Sequence, residues 1–101
     1  MDRIDYFARA GEEAPQVARA RFGYGVELQR AGRYTEAIVQ YRAYLDLQED
    51  EGNAWGRLAE SLAATGARDA AADAYLAGID QAIKFGHHSM ADELRAALED
   101  L

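Results

Sequence analysis

The chain has 101 residues, half of them hydrophobic and 29% charged, with a net charge of -7. That length fits one domain, 1–101, with a modest core, and the acidic balance argues against a nucleic-acid partner, whose phosphates need a basic face. The lack of cysteine removes disulfides, thiol catalysis and cysteine-ligated zinc.

No apolar run approaches the roughly 20 residues of a membrane helix, and the opening "MDRIDYFARA" lacks the basic flank and apolar stretch of a signal peptide. The expected location is therefore the cytoplasm, with no membrane partner. Charge is uneven along the chain. Residues 1–45 hold seven arginines against six acids, whereas residues 46–101 hold four basic residues against twelve acids.

In chain order, the first expected helix covers residues 2–10, with Asp2 as its cap and Gly11 as its stop. The second covers 16–31, with Pro15 suited to its first turn and Gly32 closing it. A third follows over 34–48. The fourth, 53–65, is preceded by Glu49, Asp50 and Glu51, where negative charge favours the positive end of the helix dipole, and is stopped by Gly66. The fifth runs over 68–85 to Gly86. The sixth, 89–100, opens on Ser89 with Asp92 three residues later, in the manner of a capping box. No segment alternates strictly enough for a strand, so the chain reads as all-α.

The stretch "AGRYTEAIVQY" at 31–41 returns in altered form as "TGARDAAADAY" at 65–75. A shift of 34 residues also pairs Tyr24 with Leu58, Gly25 with Ala59, Leu28 with Leu62, Ala37 with Ala71, Tyr41 with Tyr75 and Leu45 with Ile79. Size class and helical phase persist, which marks a repeated helix–turn–helix unit. Stepping back by the same interval places Phe7 under Tyr41 and Pro15 under Glu49, so "YFARAGEEAP" reads as the closing half of a preceding unit. In the last helix, Met90, Leu94, Ala97 and Leu98 form one stripe, as in a helix covering the final repeat.

These residues resemble the tetratricopeptide repeat family. Trp55, Leu58, Ala59 and Leu62 followed by Ala71 and Tyr75 are similar to its pattern Trp-x-x-Leu-Gly-x-x-Tyr…Ala-x-x-x-Phe. The first unit departs by carrying Arg21 at the Trp place, and Glu49 and Ile83 stand where the family's closing proline belongs. The resemblance implies a short right-handed superhelical stack of antiparallel helix pairs, an α-solenoid. Its parts would be a half-repeat 1–15, repeats 16–51 and 52–85, and a capping helix 86–101. Stability in such stacks sums over neighbouring interfaces, which is why terminal caps are needed.

Catalytic chemistry finds little footing. The two serines, Ser61 and Ser89, lie in no nucleophile elbow, and no glycine-rich stretch has phosphate-loop spacing. His87 and His88 beside Asp92 and Glu93 are the one metal-like group, but adjacent residues point apart and no third histidine exists. The expectation is a protein that is not an enzyme and has no catalytic residue, metal or cofactor.

By the resemblance, first helices line a concave groove for a protein or peptide. Arg19, Phe22, Val26, Gln29 and Arg30 would contribute from the first unit, and Asn53, Gly56, Arg57, Glu60 and Ala64 from the second. Phe22 and Val26 fall outside the repeat-packing set and offer apolar contact, while Arg19, Arg30 and Arg57 suit an acidic segment. Phe22 and Val26 also stand where some family members carry the Lys and Asn of a clamp for a terminal carboxylate, so that clamp is absent. The expected role is a peptide-binding interaction module. The alternative is homo-oligomerisation through the terminal helices.

Overall fold

Six α-helices and no strand run through the described residues, 2–13 and 17–101, of the computed structural model. They are α1 Arg3–Glu13, α2 Ala18–Arg30, α3 Tyr34–Leu47, α4 Asn53–Ala64, α5 Arg68–Lys84 and α6 His88–Glu99. No helix among them is long and apolar enough to cross a membrane.

Glycine decides where three of these helices stop. Gly32, Gly66 and Gly86 have φ of 75°, 85° and 75°, a left-handed conformation in which a Cβ would crowd the following carbonyl. Each turn closes with the same pair of bonds. Arg33 N–H donates to Leu28 C=O at 2.9 Å and Gly32 N–H to Gln29 C=O at 3.0 Å; Ala67 and Gly66 repeat this on Leu62 and Ala63, and His87 and Gly86 on Ala82 and Ile83. Six carbonyls that the helix ends would leave without partners are thereby satisfied.

Gly11 behaves differently from expectation: α1 continues through it to Glu13. A glycine inside a helix costs only about 1 kcal/mol relative to alanine and ends nothing unless the next turn goes left-handed. The expected place of Pro15 in the following turn lies outside the described residues.

Two helix starts, those of α1 and α4, rely on aspartate. Asp2 Oδ1 accepts the Asp5 N–H at 2.8 Å, as expected of a cap. Asp50, only 8% exposed, accepts both the Gly52 and Ala54 N–H groups on Oδ2 at 2.9 Å, and so caps α4 from two residues before its flanking position. The capping box at Ser89 is not formed. His87 flanks α6, Ser89 is already its second residue, and Asp92 pairs with Arg95 at 3.1 Å. The two-bond turn at Gly86 fixes the chain one residue earlier than a serine cap would need.

The chain divides into two units, Met1–Glu49 and Asp50–Leu101. In the first, α2 packs against both α1 and α3. Two glycines on α2 make this possible. The Phe7 ring from α1 occupies the space where a Gly23 side chain would stand, and the Tyr41 ring from α3 lies 2.7 Å from where a Gly25 Cβ would be. Tyr41 is completely buried, and its hydroxyl donates to Gln29 Oε1 at 2.5 Å. Leu28 and Ala37 are also fully enclosed.

In the second unit α5 is the central helix, touching α4 and α6. Ala54, Leu58, Ala59, Leu62, Ala71, Tyr75, Ile79 and Ala91 form its core. A Cβ on Gly78 would sit 3.0 Å from the Trp55 Cβ and 3.2 Å from Leu94, and one on Gly56 would meet Leu94 at 2.9 Å. Small residues thus let three helices converge. Burial, with the Glu60 charge adding to it, raises the Tyr75 phenol above its ordinary pKa.

Asp50→Ala leaves two N–H groups at the start of α4 without their acceptor and is expected to cost about 1–2 kcal/mol. Asp50→Asn, which keeps one acceptor oxygen, loses less. Urea denaturation of the three proteins checks the order, and equal midpoints would remove the cap from the account.

Candidate binding surface

The expected groove residues divide into those used for packing and those left to solvent. Phe22 is half-buried, with its ring 5.2 Å from Tyr44 and 6.0 Å from Tyr41. It therefore belongs to the α2–α3 interface and corrects its sequence assignment as a non-packing position. Gln29 is taken up by the Tyr41 hydroxyl. Arg30 is paired at 3.2 Å with Glu27, whose Oε1 also holds Arg3 of α1 at 2.7 Å. Gly56 is buried against Leu94.

The remaining members stay available. Arg19, Asn53, Glu60 and Ala64 are exposed, and Val26 is half-buried. Arg57 is half-buried with its Nε enclosed and, among the described residues, without a hydrogen-bond partner. Ser61, one turn further along α4, is completely buried and its hydroxyl also has no partner among the described residues. Arg19 and Phe22 share one feature in the first unit. Together with Tyr6, Phe7, Ala10, Val17, Ala20 and Gly23 they line an open cleft of about 420 Å³ between α1 and α2. Tyr6 and Val17 on its walls are 61% and 45% exposed.

Nothing in the repeat pattern points to that cleft. It follows from how Phe7 seats on Gly23, a tertiary contact that leaves the Tyr6 ring edge-on to Phe7 at 5.2 Å. Glycine two residues before the expected Gly25 was the available clue. Among the described residues no group of three or more His, Cys, Asp or Glu is gathered for a metal. His87 Nε2 lies 3.2 Å from Glu51 Oε2. Arg33 and Glu36 form a fork on the surface, 2.5 and 2.8 Å, which raises the guanidinium pKa and lowers that of the carboxyl.

No protein-family model matches this chain, and no curated protein matches it.

Phe22 and Ser61 should respond in opposite ways to truncation. Phe22→Ala removes ring contacts with two tyrosines and is expected to destabilise by roughly 1–3 kcal/mol. Ser61→Ala removes a buried hydroxyl that has no partner and is expected to leave the melting temperature unchanged or higher. Thermal unfolding followed by circular dichroism distinguishes them; a large loss in Ser61→Ala would mean that its hydroxyl has a partner.

Proposed function

We propose that the chain is a non-catalytic interaction module of tetratricopeptide-like build. In this reading the pairs α2–α3 and α4–α5 stack as successive units of a short right-handed superhelix, with α1 as a half-repeat and α6 as a cap. Its first helices offer a shallow groove to a protein or peptide segment in the cytoplasm.

One observation carries this reading: residues 34 apart do the same structural job. Leu28 and Leu62, Ala37 and Ala71, and Tyr41 and Tyr75 are all buried. Gly32 and Gly66 close matching left-handed turns. Some positions that fail to repeat are free of that job. Arg19 answers to Asn53 and Val26 to Glu60 across the same interval. Repetition of packing with variation of surface is how stacked-helix proteins separate stability from recognition.

Phe22 and Gln29, which contact α3, Arg30, which is paired with Glu27, and Gly56, which is buried against Leu94, drop out of the recognition set, which leaves Arg19, Val26, Asn53, Arg57, Glu60 and Ala64. Selection of peptides from a random library on the purified protein tests this, followed by amide-shift mapping with the tightest binder. Shifts are expected on α2 and α4 around those residues, and Val26→Lys combined with Glu60→Lys should weaken binding at least tenfold without unfolding. Binders that map to the outer faces of α3 or α5, or keep their affinity for the double variant, would remove the groove assignment.

A further inference from the structure

We infer that the α1–α2 cleft takes the exposed face of α5 from a second copy of this chain, joining copies head to tail. The two surfaces are complementary in shape of chemistry and in charge. On α5, Asp69, Asp73, Leu76, Asp80 and Ile83 recur at three- and four-residue intervals, so they share one stripe of the helix. All five are exposed, and Leu76 and Ile83 leave 52% and 44% of their surfaces in water. The three aspartates have no ion pair among the described residues. A solvent face that alternates acid and large aliphatic side chains is an amphipathic surface without a neighbour.

The cleft offers the counterpart. Its walls are aromatic and aliphatic, through Tyr6, Phe7, Val17 and Phe22, and Arg19 stands on its lining. Arg9, one turn from Tyr6 on α1, is exposed. Neither arginine has an ion pair among the described residues. At about 420 Å³ the cleft lies within the roughly 300–1,000 Å³ range of sites that enclose a ligand, enough to receive aliphatic side chains from a helix laid across it. Leu76 and Ile83 would fill the apolar walls while Asp73 and Asp80 meet Arg9 and Arg19.

Charge at the scale of whole units points the same way. The first unit holds seven arginines against eight acids, and the second four basic residues against ten acids, so the second is repelled far less by the first unit of another copy than by its own kind, and attraction is left to the local arginine–aspartate pairs. Because cleft and stripe are different surfaces, each contact leaves one of each unused. Association then continues past the dimer unless the rotation closes a ring.

Sedimentation velocity of the full chain tests this from about 10 µM to about 1 mM, at low salt and at about 0.5 M salt, where screening reaches a few ångström. The expected result is a mass that grows with concentration beyond a dimer and falls with salt. Arg19→Glu and Asp80→Arg lie on exposed side chains and should each be folded and monomeric. In their equimolar mixture an intact cleft meets an intact stripe, and the two reversed charges also face each other with opposite sign, so association past the monomer should return. A wild-type chain that stays monomeric overturns the inference and leaves the cleft to a partner other than this chain. Assembly that halts at a symmetric dimer, or that survives both reversals, overturns the head-to-tail pairing. Neither result bears on peptide binding at Val26 and Glu60, so the two readings fail separately.

Discussion

Everything in the first unit depends on a ring lying where a side chain has been omitted. The Tyr41 ring approaches α2 so closely that a Cβ on Gly25 would be 2.7 Å from it, and the Tyr41 hydroxyl is then held by Gln29. Two surfaces of unequal size, a bare backbone and a large aromatic, meet here directly. Close packing of that kind is what allows a short helix pair to hold a fixed distance, since interior density leaves little room for adjustment. Phe7 on Gly23 repeats the device one step along α2, and α2 is thereby gripped from two sides. In the second unit the convergence of Trp55, Gly78, Gly56 and Leu94 serves the same end with three helices.

That economy has a consequence for function. A three-helix unit has few side chains, and many of those expected on a binding face are already engaged. Phe22 is needed by Tyr41 and Tyr44, Gln29 by Tyr41, and Arg30 shares Glu27 with Arg3. Recognition is left to side chains that keep a surface in solvent. These fall into two sets: Val26, Asn53, Arg57 and Glu60 on the first helices, and the apolar and charged groups around the α1–α2 cleft and along α5.

The helical architecture was legible because its signals are local. Gly32, Gly66 and Gly86 stop helices through a backbone preference that any reader of the chain can apply, and the three turns follow it bond for bond. The 34-residue spacing of Leu28, Ala37 and Tyr41 with Leu62, Ala71 and Tyr75 was likewise legible, since burial follows periodicity. Gly11 misled because glycine is only a weak obstacle inside a helix. Ser89 misled because a capping residue must stand one step outside the helix, and the Gly86 turn had already started it. Asp50 was read as a favourable charge, whereas its buried carboxylate makes two specific bonds. The contacts of Phe22 and Gln29 with α3 were not read from the sequence because orientation about a helix axis is decided by what the neighbouring helix offers, and no local pattern carries that information.

The interlocking of glycine and tyrosine is the claim most open to direct test, through a double-mutant cycle on Gly25 and Tyr41 followed by chemical denaturation. With Tyr41 present, Gly25→Ala forces an added methyl against a buried ring and is expected to destabilise by roughly 1–3 kcal/mol, despite the better helix propensity of alanine. With Tyr41→Leu, the same substitution has space and should become neutral or stabilising, giving a strong coupling between the sites. Equal penalties for Gly25→Ala in the two backgrounds would contradict the account, because the glycine would then matter for some reason other than the ring.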